Sequence, residues 1–137
     1  MERRLSAILA ADVVGYSRMM GANEAGTLEA LKAARAKVVD ARIATHQGRL
    51  VKLTGDGMLV EFPSVVSAVA CAAEVQRAMR DRNAAVPRDE RIEFRIGVSL
   101  GDVMVVGEEI RMWIKHDSDF AGLHDQPRFQ KLLKSIV

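Results

Sequence analysis

Arg49–Phe62 reads RLVKLTGDGMLVEF, and the fold turns on how this stretch is read. Two apolar runs, Leu50–Leu53 and Met58–Phe62, flank Thr54-Gly55-Asp56-Gly57. Asp-Gly between strand-like runs predicts a hairpin, because such turns need a positive φ that glycine adopts without a Cβ clash. Two residues exceed what a purely structural hairpin requires. Asp56 falls at the tip, where a carboxylate can be offered outward. Lys52 falls inside the first run, where a structural strand prefers Val or Ile.

Outward from the hairpin, both flanks read as helices. On the N-terminal side, Ala22–His46 repeats Leu28, Leu31, Ala34, Val38 and Ala41 at spacings of three and four. Asn23 is placed to cap it and Gly48 to end it. On the C-terminal side, Pro63 suits a first helical position. Val65, Val69, Ala72, Val75 and Met79 then form an apolar stripe suited to core packing. Asn83–Arg88 contains Pro87 and reads as a loop.

Two further strands complete the pattern. Leu5–Val14 is almost wholly apolar, as in a strand buried on both faces. Asp12 interrupts it, and a buried carboxylate is costly unless paired or bound to a cation. Gly15-Tyr16-Ser17 then turns the chain. Arg91–Leu100 alternates, with Ile92, Phe94, Ile96, Val98 and Leu100 on one face. Gly101-Asp102 is expected to turn, with Val103–Val106 a further short strand.

The order β-α-β-β-α-β predicts an α/β sandwich with a ferredoxin-like core. Right-handed crossovers then give the strand order 4-1-3-2, with the first and third strands antiparallel. Asp12 and Asp56 arrive at one edge, and Lys52 lies one strand beyond. Two carboxylates about 4 Å apart repel by roughly 4 kcal/mol at an effective dielectric near 20. A shared proton, a cation or greater separation must offset that. Hard oxygen ligands suit Mg²⁺ or Mn²⁺, and two such ions can clamp a phosphoryl transfer. Backbone N–H groups of Gly15–Ser17 could hold phosphates, and Lys52 a base or a phosphate. The plainer alternative is one Asp in a turn and another at a strand end.

Composition narrows the function classes. The 137 residues suit one domain with one core. Hydrophobic content of 49% with 28% charged residues indicates a soluble globular chain. The net charge of +2, without a basic patch interleaved with aromatics, gives no case for nucleic acid. A single cysteine, Cys71, excludes an internal disulfide framework and suits a reducing, cytoplasmic setting. MERRLSAILAADVV reads as a first strand, since Asp12 breaks an apolar run far too short to span a membrane. His116 and His124 have no partner set for a metal and read as solvated loop residues.

Ala11-Asp12-Val13-Val14-Gly15-Tyr16-Ser17 and Leu53-Thr54-Gly55-Asp56-Gly57 resemble the two metal motifs of class III adenylate/guanylate cyclase catalytic domains. Phe94-Arg95-Ile96-Gly97-Val98 and Gly101-Asp102-Val103 resemble the strand and turn that come next in that family. The resemblance covers roughly Arg3–Ile110. It implies that Asp12 and Asp56, with the Val13 carbonyl, hold two Mg²⁺ or Mn²⁺ ions. It implies that Gly15, Tyr16, Ser17 and Gly55 bind substrate and that Lys52 reads the purine, favouring ATP. The implied reaction converts ATP to cyclic AMP and pyrophosphate in intracellular signalling. The implied assembly is a homodimer with each site built from both subunits.

The resemblance stops near Ile110. Glu109 stands where the family carries a second base-reading Asp, and no Asn or Arg at the catalytic spacing comes after it. Residues 1–110 thus read as a partial cyclase domain lacking the last helix and strands. Residues 111–137 read as a helical tail resembling the end of a helical-repeat region found in some bacterial cyclases. An internal deletion would produce this arrangement, leaving no catalytic residue beyond the metal ligands and impairing turnover. The alternative function is an inactive metal- and nucleotide-binding or dimerising remnant. Uncovered sheet surface is expected to favour dimerisation or strand exchange.

Overall fold

The first strand is the axis of the sheet. In the computed structural model, which describes residues 2–106 and 109–113 and side-chain surroundings over residues 5–101, β1 (Glu2–Val13) pairs on both sides. Ser6 through Val13 are all buried, as the apolar run predicts. After β1 the chain forms α1 (Tyr16–Ala22), α2 (Glu24–Ala34), a π-helical turn (Arg35–Val39) and α3 (Asp40–Thr45). Next come β2 (Arg49–Thr54), β3 (Gly57–Phe62) and α4 (Val65–Asn83). A short 3₁₀ turn (Arg88–Glu90), β4 (Phe94–Val106) and β5 (Glu109–Trp113) complete the described chain.

The sheet order is β2-β3-β1-β4-β5, all antiparallel neighbours. The expected 4-1-3-2 order is present, with β5 added outside β4. Ala7, Leu9, Ala11 and Val13 of β1, with Met58, Val60 and Phe62 of β3, face the helices and form the core. Leu31, Ala34, Val38, Ile43, Ala68, Cys71, Val75 and Met79 close that core from the helical side. Ser6, Ile8, Ala10 and Asp12 alternate with these residues and belong to the other sheet face.

The structure corrects several boundaries. The helix expected over Ala22–His46 runs from Glu24 to Thr45 as α2, the π-helical turn and α3, while a further helix, α1, precedes it and Asn23, φ −160°, separates the two. Asn23 still caps α2, its Oδ1 accepting from the Gly26 N–H at 3.0 Å. Pro63 is not the first helical residue. Ser64 is the N-cap of α4, accepting from the Ser67 N–H at 3.1 Å. Gly101-Asp102 does not turn, and β4 runs through it to Val106 because Ser6 and Leu5 of β1 continue to pair opposite. β5 crosses the expected boundary at Ile110. The expected C-terminal helix, with His116 and His124, lies outside the described residues.

The end of α3 carries the clearest surprise. The left-handed residue is Gln47, φ 61°, rather than Gly48. Gln47 donates to the Ala44 carbonyl and Gly48 to the Ile43 carbonyl, the paired bonds of a Schellman ending. Gly48 serves packing instead: a Cβ there would lie 2.6 Å from Phe62 Cε1 and 2.8 Å from Ile43 Cγ2. Opposite effects are therefore expected in thermal or urea unfolding. Gln47→Gly should stabilise the chain by about 1 kcal/mol, relieving a left-handed side chain. Gly48→Ala should destabilise it by roughly 1–3 kcal/mol through overpacking against a fully buried Phe62.

Candidate active site

β1 and the β2–β3 turn bring two carboxylates to one edge. The register Ala11↔Met58 sets the end of β1 beside the start of β3. Thr54↔Gly57 closes the hairpin, so Gly55 and Asp56 are its two loop residues. The positive φ, +51°, belongs to Gly55, the first loop position, where type II′ hairpins take glycine. Asp56 does not point outward as expected. It is buried, and its Oδ2 accepts from the Val13 N–H at 2.9 Å. The hydrogen bond explains the direction: the main-chain donor at the end of β1 satisfies an otherwise costly buried oxygen.

Asp12 is also buried, with its side chain 3% exposed. Its partner is Arg95 of β4, a residue to which the sequence alone assigns no role. The register sets Arg95 directly opposite Asp12. Arg95 Nε donates to Oδ1 at 3.0 Å and Nη2 to Oδ2 at 3.2 Å, a bidentate fork. The available sequence signal was an arginine on the polar side of an alternating strand, two residues before Gly97.

The remaining expected residues surround this edge. Gly15 adopts φ 66° and precedes α1, its carbonyl accepting from the Met19 N–H at 3.0 Å. Tyr16 packs against the core and Ser17 is exposed. Lys52 is half-buried on β2 opposite Leu59, just past a register shift between Leu50 and Lys52. β2 lies beyond β3, so Lys52 is one strand removed from Asp56, as the topology predicts.

A second arginine reaches the turn. Arg35, at the start of the π-helical turn, donates from Nη2 to the Gly55 carbonyl at 3.1 Å. Its Nε is buried without a hydrogen-bond partner among the described residues. Burial pulls its guanidinium below the ordinary arginine value, against the opposing influence of Tyr16 and Asp40. Arg35 opens the π-helical turn, a local feature often found at functional sites.

The donor set fits a divalent cation in chemistry. Two buried carboxylates meet at one edge, and the charge of one is already met by a cation. Among the described residues no group of three His, Cys, Asp or Glu is placed to share a metal. A bound ion would therefore complete its shell with main-chain, water or substrate oxygens, as Mg²⁺ commonly does. Cys71 stands apart from this chemistry. Burial pushes its thiol up to about 11, so it remains protonated and acts as a small core filler.

An antiparallel sheet with this order, and carboxylates meeting from β1 and the β2–β3 turn, is an arrangement suited to metal-dependent phosphoryl transfer. Over about four fifths of its length the chain is similar in sequence and in fold to class III adenylate/guanylate cyclase domains. It is 50% identical over 110 residues to a protein of Rhizobium meliloti (strain 1021) named as a candidate adenylate cyclase, adenylate cyclase 3, covering 80% of this chain and 19% of that one. The crystal structure of an adenylate/guanylate cyclase/hydrolase from Silicibacter pomeroyi superposes with TM-score 0.71 at 46% identity. That match covers 80% of this chain and 63% of the other. The guanylyl cyclase Cya2 gives TM-score 0.65 at 27% identity, covering 83% and 64%. No protein-family model matches the chain. The chain thus spans about a fifth of the length of the curated relative and just under two thirds of these solved structures. No described helix is long and apolar enough to cross a membrane.

Two measurements test the surroundings of the site. Arg35→Ala should release the Gly55 carbonyl, lowering stability by about 1–2 kcal/mol and speeding amide exchange at Gly55–Gly57. Away from the site, His46 Nε2 lies 2.6 Å from Glu74 Oε2, and this hydrogen bond holds Glu74 below its ordinary value of 4.5. A folded-state pKa below the unfolded one stabilises above about pH 4.5 and is lost as pH falls through the lowered value. The stability difference between wild type and Glu74→Gln should therefore shrink on acidification below that pH, read by thermal unfolding.

Proposed function

We propose that the chain forms the metal- and ATP-binding part of an adenylate cyclase site, acting in the conversion of ATP to cyclic AMP and pyrophosphate. The observation that carries this reading is the convergence of Asp12 and Asp56, both buried, at the ends of β1 and the hairpin. In that reaction the 3′-hydroxyl oxygen bonds to the α-phosphorus, and the bond from that phosphorus to the bridging oxygen breaks. Pyrophosphate leaves with the bond's electrons, and the hydroxyl proton passes to solvent or a base. Mg²⁺ or Mn²⁺ bound there would offset charge on the triphosphate and on the attacking oxygen.

The chain's own residues prepare this geometry. The Val13 N–H fixes the Asp56 carboxylate, and Arg35 fixes the turn that carries it. Asp12, Asp56 and the Val13 carbonyl are assigned to the cation. Gly15, Tyr16, Ser17 and Gly55 are assigned to the substrate, beside the start of α1. Lys52 is assigned to the purine, with ATP as the nucleotide. A second copy of the chain is assigned as partner, in a homodimer or a strand-exchanged dimer, within the cytoplasm.

A second reading is favoured by the sequence after Ile110, where Arg111-Met112-Trp113 continues β5 and no Asn and Arg at the catalytic spacing appear. In that reading the chain binds metal and nucleotide, or dimerises, without useful turnover. Loss of one preorganised transition-state donor costs about 100–1000-fold in rate. The test is cyclic AMP formation from Mn-ATP, together with calorimetric binding of the same complex. The cyclase reading expects turnover that Asp12→Ala and Asp56→Ala each abolish. Binding that is sensitive to these substitutions, without product, establishes the second reading. Light scattering on the same sample should show a dimer, and a monomer at high concentration would remove the assembly assignment.

A further inference from the structure

The fork between Arg95 and Asp12 bears on how a cation enters. Asp12 is the more buried partner, its side chain 3% exposed against 31% for Arg95. Both carboxylate oxygens accept from the guanidinium, at 3.0 and 3.2 Å. Asp12 sits at the β1 end whose Val13 N–H holds Asp56. A guanidinium and a divalent ion held together at Asp12 and Asp56 would place three positive charges against two negative ones, with the two cations pressed onto the same Asp12 oxygens in a setting that screens poorly. Arg95 is partly open to solvent, whereas Asp12 is buried on a strand paired with β4.

We propose that Arg95 and the divalent cation are alternative counter-ions of Asp12. Arg95 holds the carboxylate in the cation-free chain and leaves it as the cation arrives. The inference rests on the assignment of Asp12 and Asp56 to a cation. It adds that the Arg95 fork competes with the ion and so sets the concentration at which the site fills. It also gives Arg95 a second consequence. Without a cation, Arg95 keeps a buried charge compensated, so folding does not depend on metal.

The test tracks the Arg95 side chain directly. In ¹⁵N spectra of the full chain, assigned by comparison with Arg95→Lys, the Arg95 Nε–H should be shifted and protected from exchange in EDTA. Titration with Mg²⁺ should remove that protection. In calorimetry, Arg95→Met should bind Mn²⁺ at least 10-fold more tightly than wild type. Its melting temperature should fall in EDTA and recover more on adding Mn²⁺ than wild type gains. Arg95→Lys, keeping charge without the fork, should bind with intermediate affinity and serves if Arg95→Met does not fold. Protection of the Nε–H that persists at saturating Mg²⁺, with Mn²⁺ binding still abolished by Asp12→Asn, would overturn the exchange and leave the cation site standing. Absence of Mn²⁺ binding in wild type and every variant would overturn the cation assignment itself, and the exchange with it.

Discussion

The hydrogen bond from the Val13 N–H to Asp56 Oδ2 joins two parts of the chain that are remote in sequence, and the site depends on it. It can form only because β1 ends where β3 begins, a consequence of antiparallel pairing through Ala11↔Met58. It directs a carboxylate inward that a free hairpin would leave in water. The same strand end presents Asp12 on the opposite phase of the pleat from Val13. One strand terminus thus sets both carboxylates, one by its main chain and one by its side chain.

The architecture was legible because the relevant signals are periodic. An almost wholly apolar run at Leu5–Val14, alternation at Arg91–Leu100 and a glycine turn between apolar runs each identify an element by period and length. Handedness then limits the topologies, and the observed order contains the expected one. The convergence of Asp12 and Asp56 is a result of topology alone. The details that failed are decided by contacts between elements. Nothing local distinguishes Asp56 facing water from Asp56 facing β1. Nothing in Gly101-Asp102 reveals that β1 continues opposite and keeps the strand extended.

Arginine roles were the least legible part of the site. Arg95 and Arg35 are residues of a kind that surfaces use freely, and their meaning depends on register and helix pitch. Arg95 gains its role by standing across from Asp12. Arg35 gains its role because its guanidinium reaches the Gly55 carbonyl from the start of the π-helical turn. Gln47 teaches a similar lesson about glycine: the residue expected to permit a left-handed turn instead makes room for Phe62.

The pairing of β1 with β4 also orders events in time. Arg95 and Asp12 are separated by 83 residues, and β1–β3 contacts close a shorter loop. Contacts of such separation form slowly, because the entropy of closing the intervening chain opposes them until the rest is in place. During synthesis, Asp12 emerges long before its counter-ion, while its neighbours in β1 have no sheet to join. β1, the earliest of these strands, thus waits for β4 before both of its edges are occupied. The carboxylate edge is a product of late folding, assembled when β4 docks, rather than a preformed local motif around which the chain collapses.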